Sequence, residues 1–151
     1  MLSVSKIASY FCLRYLHMFG TKVDEMKLHK LLYLTQRECL VQYDAPIFGE
    51  VFEAWKYGPV APEVRHLYKE NLLDQQVPDI EISPFFGAID KVFVSYAHQN
   101  SWSLSSITHG EYAWQKAYAY SQDKTHHCAL ISTEDIRKDA SRIRLRRFLL
   151  K

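Results

Sequence analysis

Glycine and proline are scarce in this chain, five of each among 151 residues. That scarcity excludes collagen-like and low-complexity architectures. Cysteine is scarce too: Cys12, Cys39 and Cys128 make an odd number with no CxxC pair. No disulfide framework is expected from such a set, and a reducing cytoplasm suits it. No window approaches the roughly 18 uncharged apolar residues of a membrane span. The apolar N-terminus is broken by Arg14 and lacks a small-residue cleavage site, so it does not read as a signal peptide. Charge of one sign is also missing. Nineteen basic residues face 17 acidic ones, a net of +2, too little for a dedicated nucleic-acid binder.

The chain has the makings of one globular domain. Its length is typical of a single core, and it can bury enough surface to need no metal or disulfide staple. Hydrophobic residues are 48% and charged residues 24%, which excludes disorder. Ten Tyr, eight Phe and three Trp are present. Aromatic rings with polar tips suit a core that doubles as a binding surface. The basic excess is local: residues 134–151 hold seven basic and three acidic residues, whereas the other 133 hold 12 and 14.

Periodicity predicts mostly helices. Over residues 5–19, Ile7, Phe11, Tyr15 and Phe19 recur every fourth position, and Gly20 is a natural stop. Over residues 24–40, Leu28, Leu31, Leu32, Thr35 and Cys39 form a stripe, with Lys27, Lys30, Arg37 and Glu38 off it. Residues 48–57 are short, aromatic and β-branched, and predict an extended segment broken by Gly58-Pro59, where a cis bond is open. Pro62 and Glu63 suit the first turn of a helix carrying Val64, Leu67, Tyr68 and Leu72. Residues 73–82 predict a loop, Ser83-Pro84 a second helix start, and Ile89, Phe93 and Tyr96 its inner face. Residues 101–109 and 111–120 predict two more helices, and residues 121–131 a loop. Ser132 to Asp135 resembles a capping box before a last helix with Ile136, Ala140 and Ile143. The expectation is a mainly α, single compact helical domain with a short β segment around residues 48–57 and a basic helix or tail at about 133–151.

Two stretches are more specific. KLHKLLYLTQ at residues 27–36 is followed by EAWKYGPVAPE at 53–63, and LSSITHGEYAW stands at 104–114. In this order and spacing they resemble the Panacea antitoxin-like domain of phage-associated bacterial proteins, over about residues 5–140. The resembling motif positions are Leu31, Leu32, Tyr33, Gly58, Pro62, Thr108, His109, Glu111 and Trp114. What the resemblance implies is an α-rich antitoxin that contacts a cognate toxin directly, without naming the toxin's class.

The residues leave further alternatives open. In Trp55-Lys56-Tyr57-Gly58-Pro59 the aromatics are either interface anchors or core. Bulk favours the core for Trp55, while Lys56 and Tyr57 lean to the surface. The expected partner-binding patch is Trp55, Lys56, Tyr57 and Pro59, with Arg144 and Arg147 at its rim. Thr108, His109 and Glu111 could form an acid–base pair oriented by Glu111, but helix-cap chemistry is the simpler role, and no nucleophile elbow or phosphate loop accompanies them. No enzyme is expected. His126-His127-Cys128 has metal-ligand types without ligand spacing, so no metal or cofactor is expected. The arginines from Arg142 to Arg147 could meet phosphates, an acidic protein or only solvent. A toxin is thus the expected partner, nucleic acid the second choice, and a homodimer is left open.

Overall fold

The computed structural model describes residues 1–123 and 129–151. Helix α1 (Val4–Phe19) starts at Ser3, whose hydroxyl accepts from Lys6 N, and stops at Gly20 in the left-handed region, where a Cβ is disfavoured. Its buried face is Val4, Ile7, Ala8 and Phe11. The fourfold pattern does not stay inside to the end, because Phe19 is exposed.

Helix α2 (Glu25–Tyr43) is capped by Asp24, which accepts from Lys27 N at 2.8 Å. The single-stripe expectation is corrected here. Every residue from Lys27 to Val41 is buried, because α1, the later helices α5 (Phe86–Tyr96), α6 (Ser101–His109) and α8 (Thr133–Leu149), and the sheet all pack around this helix. A helix covered on all sides must place even its charged residues inside, and each then needs a partner. Lys27 Nζ donates to Ala97 O at 3.0 Å and Tyr15 OH at 3.1 Å. Arg37 pairs with Glu111. Glu38 receives both Nη atoms of Arg147, at 2.7 and 2.9 Å. Burial alone would raise the Glu38 carboxyl, but the Arg147 and Gln42 hydrogen bonds overcome it and hold the group below its usual value.

The expected extended segment is shorter than its pattern. Residues 48–51 precede β1 (Phe52–Trp55), which turns at Lys56-Tyr57 and pairs antiparallel with β2 (Gly58–Val60), Trp55 opposite Gly58. Gly58-Pro59 therefore continues the sheet instead of breaking it, and no cis bond occurs among the described residues. A third strand, β3 (Ala129–Ile131), pairs with the other edge of β1. This corrects the loop expected over residues 121–131; a three-residue strand paired far along the chain leaves almost no periodicity to read.

Helix α3 (Pro62–Lys69) has proline in its first turn and ends before Leu72, which is exposed. A short α4 (Asp79–Ile82) interrupts the expected loop, and Ser83-Pro84 opens a 3-10 turn leading into α5 (Phe86–Tyr96). Helices α6 (Ser101–His109) and α7 (Tyr112–Asp123) follow. In α8 (Thr133–Leu149) the Ser132 hydroxyl accepts from Asp135 N at 3.1 Å, with Ile136 and Ala140 buried. The buried Asp139 of α8 accepts from the first amides of α7, Tyr112 N at 3.0 Å and Ala113 N at 2.9 Å. A helix N-terminus with orphan amides is thus satisfied by a carboxylate from another helix.

Leu31, Leu32 and Tyr33 sit in the core, Tyr33 edge-on to Phe52 at 5.3 Å. Cys12 and Cys39 are free thiols, pushed up to about 11 and about 12 by burial, and so unreactive. Cys128, His126 and His127 lie outside the described residues. Among the described residues no helix is long and apolar enough to cross a membrane.

Candidate protein-binding face on the hairpin

The segments at 27–36, 53–63 and 104–114, far apart in sequence, meet at the β1–β2 hairpin. Trp114 Nε1 donates to Trp55 O at 3.0 Å, and Ser105 Oγ to Tyr57 O at 2.9 Å. Ala61 N donates to His29 Nδ1 at 3.2 Å. Gly58 has φ +128°, and a Cβ there would stand 3.0 Å from Thr108 Oγ1 and 3.2 Å from Lys30 Cε. Both its conformation and its surroundings therefore demand glycine. A two-residue turn whose flanking carbonyls accept side-chain hydrogen bonds from α6 and α7 holds its side chains rigidly, which lowers the entropy lost on docking.

At the tip, Trp55 is 36% exposed and Tyr57 48% exposed, so the core assignment for Trp55 is corrected. Strand β1 is four residues long, and only Phe52 and Ala54 face inward. The Trp55 ring carries the Arg65 guanidinium 5.0 Å from its centroid, and its Nε1 donates to Glu53 at 2.9 Å. Tyr57 meets Trp102 edge-on at 5.3 Å, and Trp102 is 62% exposed. Lys56 lies 5.4 Å from the Tyr57 ring. Pro59 is buried and lines a hollow instead of projecting.

That hollow, about 420 Å³, is walled by Trp55, Tyr57 and Val60, with His29 and Lys30 beneath and Arg65 at its edge. His29 is 3% exposed and its Nδ1 accepts from Ala61, so its neutral Nε2–H donates to Glu25 Oε2 at 3.0 Å. Burial lowers its pKa, with Glu25 opposing. The unfolded chain then binds a proton that the folded one refuses, so stability falls as pH drops from about 6.5 toward the lowered value. Urea denaturation at pH 7.5 and 5.5 is expected to show this loss, and His29→Asn to flatten it; an unchanged slope in that variant would assign the dependence elsewhere. Lys30 is 2% exposed, and burial pushes its ammonium down to about 8, with Asp24 opposing.

Arg144 and Arg147 do not join this face. Arg144 donates to the carbonyls of Leu40 and Val41, satisfying the C-terminal end of α2, and Arg147 is bound to Glu38. Glu38 and Val41 lie eight and eleven residues beyond Lys30 on that helix, roughly 12 and 16 Å along it, so the assignment of Arg144 and Arg147 to the rim is corrected. The acid–base alternative finds no geometry to support it. Glu111 turns to Arg37, not to His109, and burial raises its carboxyl even with Arg37 beside it. His109 stacks on Trp114, centroids 4.2 Å apart, its Nε2 buried without a partner among the described residues. Thr108 Oγ1 donates back to Ser105 O at 3.1 Å within α6. Pro62 serves the first turn of α3. The sequence patterns did not single out Trp102, Lys30, His29 or Arg65 for this face, because only the folded chain sets them beside the hairpin.

A family model described as "Antitoxin SocA-like, Panacea domain" matches residues 28–115, from the second turn of α2 into α7. A curated protein, Antitoxin SocA of Caulobacter vibrioides, is 39% identical over 49 residues, a match covering 32% of this chain and 26% of that protein. The chain therefore aligns with about a quarter of the curated relative's length. No solved structure matches the chain.

Proposed function

Because the chain belongs to the SocA-like Panacea domain family of antitoxins, we propose that it neutralises a toxin encoded beside it by direct contact, and that it catalyses no reaction. The supporting observation is the hairpin tip. Two large aromatics of the hairpin, Trp55 and Tyr57, are held by hydrogen bonds from two neighbouring helices, and Trp102 from the first turn of α6 stands beside Tyr57. Exposed rigid aromatics of this kind dominate binding energy at protein interfaces. The basic C-terminus supports a nucleic-acid reading less well, since Arg144 and Arg147 are engaged within the fold.

The test is co-expression with the neighbouring toxin, alongside calorimetric titration of the purified pair. Trp55→Ala combined with Tyr57→Ala is expected to abolish rescue while the circular dichroism melt stays close to wild type, both side chains being largely outside the core. A loss of about 2 kcal/mol at each anchor amounts to roughly a thousandfold in Kd. Full rescue by the folded double variant would remove the hairpin from the interface.

A further inference from the structure

Helix α2 buries four charged side chains off its apolar stripe, and three are firmly partnered: Lys27 by two oxygens, Arg37 and Glu38 by opposite charges. Lys30 differs. Among the described residues its ammonium makes one hydrogen bond, a long one of 3.4 Å to Met26 O on its own helix. An ammonium has three donors, and one so deeply covered without an anion is costly. Its surroundings do not repair this. Glu25, the acid lining the hollow, is already shared between Arg65 Nη1 at 2.9 Å and His29. Among the described residues neither Lys30 nor Lys56 forms an ion pair; Asp24 acts on Lys30 only through space, and Lys56 faces the Tyr57 ring.

We propose that Lys30, at the floor of the hairpin hollow, receives an Asp or Glu side chain of the toxin. The inference rests on the antitoxin reading above and names the chemistry of that contact. Several features favour it. The hollow is open and lined by Lys30, and Gly58 puts no side chain above Nζ, where a Cβ would stand 3.4 Å away. A carboxylate entering between Trp55 and Tyr57 meets a desolvated ammonium, where a charge-assisted bond is strongest. A side chain fits better than a chain terminus. Capture of a terminal carboxylate uses free backbone amides, whereas the hairpin strands pair with each other and Ala61 N is bound to His29.

Calorimetry of the protein against the toxin encoded beside it decides the matter. Lys30→Met keeps the aliphatic stem and removes the charge; it is expected to weaken Kd at least tenfold. One Asp→Asn or Glu→Gln substitution in the toxin is expected to weaken binding to wild type by a similar factor and to have no further effect on Lys30→Met. In the wild-type complex, heteronuclear NMR of the Lys30 side chain is expected to show its pKa rising on complex formation, a readout independent of how the variant folds. Equal affinity of wild type and Lys30→Met, or a Lys30 titration unmoved by the toxin, would overturn the site while leaving the antitoxin role intact. A wild-type protein that binds no toxin would overturn that role and the site with it.

Discussion

Arg37→Met is expected to destabilise the protein by about 3–5 kcal/mol, the cost of leaving a buried carboxylate without its partner. Arg37 reaches from the middle of α2 to Glu111 at the corner between α6 and α7, and also donates to Tyr96 OH at the end of α5, at 3.4 Å. Both members of the pair are largely covered. Removal of the guanidinium leaves Glu111 to protonate or to draw in water. Burial already raises its carboxyl, so the deficit is expected to shrink as pH is lowered and Glu111 takes up a proton. The double variant Arg37→Met, Glu111→Gln is expected to recover part of the loss, because no charge remains to be desolvated. Chemical denaturation at pH 7.5 and 5.5 measures both effects. A loss under about 1 kcal/mol for the single variant would mean that Glu111 reaches water easily and that the pair is no more than a surface bridge.

Gln36→Leu is expected to cost about 3–5 kcal/mol, since each buried backbone group left unpaired costs about 1–3 kcal/mol. The amide acts as a stand-in for a neighbouring strand. Its Oε1 accepts from Ile47 N at 2.9 Å and Phe48 N at 3.5 Å, and its Nε2 donates to Phe48 O at 2.9 Å. This fixes the chain between α2 and β1, seats Phe48 5.8 Å from Phe52, and holds Ile47 O in place for Leu2 N. Leucine fills similar volume but offers no polar atom. A fall in Tm of about 10 °C is the expected readout for a domain of this size. A melt within about 2 °C of wild type would show that residues 44–48 hold their place without the amide.

Much of the helical framework was legible in the sequence because its signals are local. Ser3, Asp24 and Ser132 accept from amides three residues on, Gly20 ends α1, and Pro62 opens α3. Such caps depend on a few adjacent residues, so they survive without knowledge of the fold. The motif segments were legible too, as residue strings, and the family match covers the same stretch. What the strings were for was not. His29, Gly58, Thr108 and Trp114 are recognisable in order, yet their meeting at one hairpin comes from contacts across many tens of residues.

The sequence by itself determined where most helices begin and end and that the chain buries one α-rich core, because hydrogen bonding near a helix end and apolar periodicity are short-range. Only the tertiary structure decided that α2 is enclosed on every side, that residues 129–131 complete the sheet, that Trp55 faces outward, and that Arg144 and Arg147 close the C-terminal end of α2. The reason is the same in each case. A side chain's exposure and ionic partners depend on what the rest of the chain lays against it, and periodicity along one element carries no record of that.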